Sequence, residues 1–410
     1  AIVSFLIVGT LVAIKFAKGY RPNLKERSLQ GTGLLSLTSY PKSARVTIND
    51  KLTTVTDDKL YLLPSTYQVK IEKDGFHPWT KLLPIKTELV TSADVRLFPI
   101  ITSTTPLTFY QASNASVNPD GTKIAYVLKN APQDTSNGLY IHSVTSNLLG
   151  TSSNLQIAEN TPRDFANALL IWSPDSTQLL AIFTEKTKTT ERITSSFLLS
   201  TKSLNSKVNS DVTLRLPLII SQWQDQYAKI NQPILNLFPE FVSTLLTKSA
   251  TNVYFSPDKE KVFYTATKDQ MLPKNEIGSL LPNINSTSEG RNLTKGKTYL
   301  FDLKEGTNYQ VNIASNSSEI SKILILESSA TPSANLADLK QLKAQTESYY
   351  TGNLSWYSNS RQLIATTENG VNILDYDGLN LVNINTTLPL NRFITSSIDG
   401  TKLIILTNLN

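Results

Sequence analysis

The chain has 410 residues, 40% of them hydrophobic and 18% charged, with a formal net charge of +6. That length can hold two or three domains with cores of their own, and the absence of cysteine excludes disulfides, thiolate metal sites and cysteine nucleophiles. The positive charge is scattered through turns, as at Lys123, Lys261 and Lys402, without an arginine-rich or aromatic-interleaved stripe, so it reads as a solvated basic surface and not as a nucleic-acid site.

Ala1 to Ile14 is an uncharged apolar run. It is shorter than the roughly 20 residues that span a bilayer core, but the sequence opens without methionine. No small-x-small cleavage site follows before the cationic stretch. The reading is an uncleaved single-pass membrane anchor over residues 1–22, in contact with membrane lipid. Lys15, Lys18, Arg21, Lys25 and Arg27 follow the run, and the positive-inside rule would place that side in the cytoplasm. The rule compares both flanks, and with a basic upstream flank outweighing these cations the bulk of the chain is expected outside, at the cell surface or in the periplasm. Residues 23–31 read as a linker.

Residues 32–100 predict a small β-sandwich of short strands at regular spacing. Val46 and Ile48 alternate onto one face, Asn49-Asp50-Lys51 is a hairpin turn, and Asp74-Gly75 is another. This stretch resembles the PEGA domain family. Pro41-Lys42-Ser43-Ala44, Val46, Ile48-Asn49, Pro64, Tyr67, Val69, Ile71 and Gly75-Phe76 follow that family's pattern. Lys-Ser stands where the name motif has Glu-Gly, and Ser65 where glycine is typical. The resemblance implies a non-catalytic spacer or adhesion module of a surface protein.

Residues 101–410 carry a repeat. I-W-S-P-D-S-T-Q-L-L-A-I-F (Ile171 to Phe183) recurs near Ser116, Tyr254, Trp356 and Thr395. Aligning the turns puts Asp120, Asp175, Asp258, Ser360 and Asp399 in one column, with Ile124, Leu179, Val262, Ile364 and Leu403 as the first inward residues of the next strand. Each acid or serine is expected to accept its own turn's amides, which makes these side chains structural and not catalytic. Two further strands per copy give a four-stranded antiparallel sheet, one propeller blade. The turns lie 55, 83, 102 and 39 residues apart, against roughly 40–45 for an unadorned blade. The 102 leaves room for a sixth, degenerate blade at Glu319 to Leu326. The fifth copy stops after its second strand; its outer strands are expected from Thr105 to Ala112 or from residues past Asn410.

Trp172-Ser173-Pro174-Asp175 and Asn118-Pro119-Asp120-Gly121 resemble the WD40-like, TolB-type propeller repeat. The order of anchor, PEGA-like unit and propeller also resembles membrane-anchored proteins of Patescibacteria, a likeness that implies no function. The expected fold is therefore mainly β: an N-terminal transmembrane helix, a small sandwich, then a propeller of five clear blades and a sixth, with helical insertions.

The insertion at 221–247 breaks the strand rhythm. Trp223, Tyr227 and Ile230 share one helical face, as do Phe241, Leu245 and Leu246, and Pro233 and Pro239 separate two short helices. It reads as a helical cap packed on the propeller or as a partner-docking element using Trp223, Tyr227, Phe238 and Phe241. A second helical stretch runs from Leu336 to Gln345. Asn285 and Asn292 fit the glycosylation acceptor pattern.

Enzyme chemistry finds little support. His77 and His142 are the only histidines, no G-x-S-x-G elbow follows the repeats, and Asp375-Tyr376-Asp377-Gly378 begins like a calcium loop but lacks its later ligands. The sequence names no cofactor, metal or catalytic residue. The leading expectation is a non-enzymatic, membrane-anchored scaffold or binding protein of the cell envelope. Its propeller would engage a protein partner or surface glycan, and self-association stays open. The rivals are a propeller carbohydrate-active enzyme and a TolB-like periplasmic component.

Overall fold

The computed structural model describes residues 2–23, 28–144, 154–187, 191–205, 210–273, 287–311, 323–327, 335–346 and 354–407. The fold is mainly β and divides into two compact units, the first dominated by residues 1–103 and the second starting at Thr104.

The first unit opens with helix α1 (Ile2–Ala17), 16 residues long. At 1.5 Å per residue it reaches about 24 Å, short of a bilayer core of about 30 Å. Among the described residues no helix is long and apolar enough to cross a membrane. This overturns the expected single-pass anchor over 1–22 and the extracytoplasmic location that rested on it. The chain leaves α1 at Gly19, whose φ of +94° suits a residue without Cβ. Tyr20–Asn23 then pairs with Ser28–Gly31, so strands occupy the end of the expected anchor and part of the expected linker. Arg21 donates to the carbonyl oxygen of Phe16 at 3.0 Å and lies over the rings of Phe16 and Tyr61, which fixes the helix exit.

Residues 32–100 form two facing sheets. One orders Asp58–Leu62, Gly33–Tyr40 and Val90–Arg96; the other orders Lys51–Val55, Arg45–Ile48, Ser65–Glu72 and Trp79–Ile85. Alternation puts every second side chain inward, and Leu35, Leu37, Val46, Ile48, Val69, Ile71, Leu83 and Val95 fill the core between them. Ile48 pairs with Lys51 across Asn49 and Asp50, both at positive φ (47° and 62°), the geometry of a two-residue hairpin turn. Gly33–Tyr40 and Val90–Arg96 run parallel.

The second unit carries five successive antiparallel sheets, one for each repeat copy. The first holds Gln111–Val117, Lys123–Lys129, Gly138–Ser143 and Asn154–Glu159; the second Leu169–Trp172, Gln178–Lys186 and Glu191–Ser200. The third holds Ala250–Phe255, Lys261–Ala266 and Thr298–Asp302. The fourth orders Leu354–Trp356, Gln362–Thr367, Gly370–Asp375 and Val382–Asn385, and the fifth only Ile394–Ser396 and Leu403–Ile405. Gln111–Val117 belongs to the first sheet, so Thr105 to Ala112 supplies no strand to the fifth. The sheets are open and do not form the expected closed propeller. At the expected sixth blade, residues 323–326 form no strand, and 319–322 lie outside the described residues.

Apolar packing shows which sheets adjoin. One face of the second sheet (Leu170, Trp172, Leu179, Ala181) packs on the first sheet's Ala125, Val127, Leu139 and Ile141. The first sheet's other face (Val117, Ile124) meets Phe393 and Leu406, which flank the fifth sheet's strands, and that sheet's Ile404. Tyr357 donates its hydroxyl to the carbonyl oxygen of Gly400, joining fourth to fifth. The rings of Phe263 and Trp356, 4.9 Å apart, join third to fourth. Beside these sheets lie helices α2 (Leu216–Leu235), α3 (Glu240–Lys248) and α4 (Leu336–Thr346). The second sheet's free face (Ile171, Leu180, Ile182) packs on α2 and α4, while Phe238, just before α3, meets Phe255 and Phe301 of the third sheet.

Candidate functional site

The five repeat turns share one construction. The first residue's amide donates to the carbonyl five residues on: Asn118 to Lys123, Ser173 to Gln178, Ser256 to Lys261, Tyr357 to Gln362 and Ser397 to Lys402, at 2.8–3.0 Å. The acid then accepts the amide two residues later, with Thr122 on Asp120, Thr177 on Asp175, Glu260 on Asp258 and Thr401 on Asp399 at 2.9–3.1 Å. In three copies the serine before the proline or isoleucine completes the turn, and in the first copy Asn118 does so. Ser173 Oγ donates to Asp175 Oδ1 at 2.6 Å and accepts the Gln178 amide at 2.9 Å, and Ser256 and Ser397 do the same in their copies.

The fourth copy corrects the sequence alignment by one position. There Asn359 accepts the Arg361 amide at 3.0 Å, so Asn359 and not Ser360 stands in the acid's place. Ser360 sits at φ 59°, matching Gly121 (73°), Ser176 (60°), Lys259 (62°) and Gly400 (64°). Strand register agrees: Trp356 pairs with Leu363 as Trp172 pairs with Leu179, which makes Leu363 the equivalent residue in place of Ile364. Tyr357-Ser358 imitates Trp172-Ser173 in sequence, and that imitation caused the slip.

Electrostatics follow from these bonds. Burial pushes the Asp175 carboxyl up, but hydrogen bonds from the Ser173 hydroxyl and from the Thr177 amide and hydroxyl outweigh it and hold the group below its ordinary value. At Asp258 burial is again opposed, by Ser256, Lys261 and the Glu260 amide, with the same net lowering. Acids consumed in this way are turn fasteners.

The helical residues named for docking lie mostly inside. Trp223 and Tyr227 of α2 and Phe238 are buried; the first two belong to the cluster with Ile171 and Leu180. They do not form an open docking face, because an amphipathic helix beside an apolar sheet face buries its own apolar stripe. Phe241 is half-buried, its ring 6.0 Å from that of Phe301. α2 starts five residues before the expected Ser221 and keeps Pro233 inside it.

The remaining chemistry-bearing residues stay apart. His142 is buried and shares a 2.7 Å hydrogen bond with Asn154 Oδ1, whereas His77 lies in the first unit. Both oxygens of Asp375 are taken by side-chain amides, from Gln362 at 3.0 Å and Asn380 at 2.9 Å, which leaves them poorly placed to begin a calcium loop. Among the described residues no group of three or more His, Asp or Glu could hold a metal ion. Asn285 lies outside the described residues. Two features escaped the sequence reading. Asn114 and Asn252 occupy matching bulges in the first strands of the first and third sheets, at φ 48° and 54°, signalled by Ala-Ser-Asn and Ala-Thr-Asn four residues ahead of the turn. Lys259 occupies a turn position where the other four copies have Gly or Ser.

Residues 32–100 match the family model of the PEGA domain. No curated protein matches the sequence. Among solved structures, the chain is similar to hydrazine synthase of Kuenenia stuttgartiensis, with 11% identity over 86% of each chain and a TM-score of 0.18. Apo AztD from Citrobacter koseri shares 11% identity over 89% of this chain and 85% of its own, at 0.20. The β-propeller domain of the Trilobed protease from Pyrococcus furiosus shares 11% identity over 87% and 72%, at 0.16. The likeness to β-propeller proteins is weak, and scores of this size carry no functional argument.

Proposed function

We propose that the chain is a non-enzymatic binding or scaffold protein. In this reading the PEGA domain is a non-catalytic module, and the five-sheet unit engages a protein partner or a glycan. One observation carries the reading: the recurrent acids, the feature most open to a catalytic interpretation, are each committed to the amides of their own turns. Repetition of one structural fastener five times builds a platform whose ends present many loops, the arrangement on which binding faces are set.

Cross-linking followed by mass spectrometry on the protein isolated from its native cells tests this. The expected result is a set of cross-links from the turn or loop ends of the five-sheet unit to a defined protein, or to a glycan carried through purification. Recovery of a solitary monomer that turns over a glycoside or peptide substrate would overturn it.

A further inference from the structure

We propose that Lys259 anchors an oxyanion-binding site at the turn end of the third, fourth and fifth sheets, taking a ligand through its carboxylate or phosphate group. The proposal rests on the binding reading above and deepens it by naming the ligand chemistry.

The first observation is positional. Five turns of common construction place Gly121, Ser176, Lys259, Ser360 and Gly400 at one left-handed position, with φ between 59° and 73°. Four copies use residues that are small, two of them glycine, which alone takes this conformation freely. The third copy holds a long cationic side chain there against its conformational preference, and such local violations concentrate where function requires them.

The second observation is that this cation is uncommitted. Its neighbour Asp258 is engaged by Ser256 Oγ, by the Glu260 amide at 3.1 Å and by Lys261 Nζ at 3.4 Å. Lys259 itself makes no ion pair or side-chain hydrogen bond among the described residues. It is exposed on one side, yet crowding by protein lowers its amine below the ordinary lysine value, with Asp258 acting in the opposite direction. A partly desolvated cation whose neighbouring acid, Asp258, is shared with Lys261 is relieved further by an anion.

The third observation is continuity. Ser360 Oγ accepts the Asp258 amide at 3.0 Å, and Ser396 Oγ accepts the Ser358 amide at 3.0 Å, so these turns adjoin across three sheets. The adjoining turns add the exposed Lys402, while the acid Asp399 is held by Ser397 and Thr401. The turn end therefore offers Lys259 and Lys402 beside two acids, Asp258 and Asp399, that their own turns already engage, a field that draws anions.

The test combines trace acetylation of amines with thermal unfolding, on the full chain and on Lys259→Gly, in buffer alone, with citrate, and with inorganic phosphate. In buffer at pH 8 Lys259 is expected to acetylate faster than the exposed Lys51. At saturating citrate or phosphate its labelling falls by half or more while Lys51 is unchanged. The same anion raises Tm in the parent chain and not in Lys259→Gly, which folds at least as well because glycine suits the position. Protection by citrate alone assigns a carboxylate ligand, and by phosphate alone a phosphate-bearing one. Unchanged labelling with both anions, or an equal Tm rise in Lys259→Gly, overturns the site. Partner cross-links that persist in Lys259→Gly would leave the binding reading standing while removing this site from it.

Discussion

At the scale of single residues, the repeat is a rule about where hydrogen-bonding groups go. A serine, a proline and an aspartate in succession satisfy three amides within six residues, and Asp175 and Asp258 are more valuable ionised in the fold than in the open chain. The Asp258 carboxyl is held below its ordinary value, so its contribution is complete above the ordinary aspartate value of about 3.9 and is lost as pH falls through the lower folded-state value. Asp258→Asn is therefore expected to be less stable than the parent at pH 7 but to lose less on going to pH 3, read as urea midpoints. A parallel loss in both proteins would remove Asp258 from the acid response. Four of the five turns were legible because Asp recurs at a fixed distance before the next apolar strand. The fourth was misread because Ser358 occupies the proline position, and only strand register distinguishes Asn359 from Ser360. The significance of Lys259 was illegible in any one copy; it appears when backbone conformation aligns all five.

At the scale of elements, periodicity announced α2 but not what it would touch. Trp223 and Tyr227 share a helical face, and that face covers the second sheet's Ile171 and Leu180. Ile230, read as part of the same stripe, is 44% exposed, since the stripe drifts off the sheet toward the helix end. Trp223→Ala should cost about 3–5 kcal/mol, the usual range for emptying a large aromatic site in a core. Gln222→Ala, on the exposed side, should stay within about 0.5 kcal/mol of the parent. Chemical denaturation measures both, and equal small effects would mean that α2 is not packed as described. The sandwich was the more legible element. Its alternation runs through Gly33–Tyr40, Trp79–Ile85 and Val90–Arg96 with few breaks, and its two-residue turn is written as Asn49-Asp50. The anchor was expected from an apolar run already shorter than a bilayer span, and α1, which ends at Ala17, is not long and apolar enough to cross a membrane.

At the scale of the whole molecule, the PEGA domain and the five-sheet unit each own a core. Within the second unit, side-chain contacts run from second sheet to first, first to fifth, fifth to fourth and fourth to third, and the helices meet both the second and the third. The sequence predicted a sixth blade at Glu319 to Leu326, inside the 102-residue interval between the third and fourth turns. Spacing measures how much chain intervenes, not whether it is strand or helix, and in that interval residues 323–326 form no strand while α4 occupies Leu336–Thr346. The contact between first and fifth sheets is the one that local sequence could not supply, because its partners lie at opposite ends of the unit. Ile124 and Phe393 belong to that contact, 3% and 5% exposed. A double-mutant cycle with Ile124→Ala and Phe393→Ala tests it most directly. The packing described predicts a coupling energy above about 0.5 kcal/mol, as for residues sharing one cluster. Additivity to within that margin would contradict the joining of first and fifth sheets, and with it the continuous platform on which the binding reading rests.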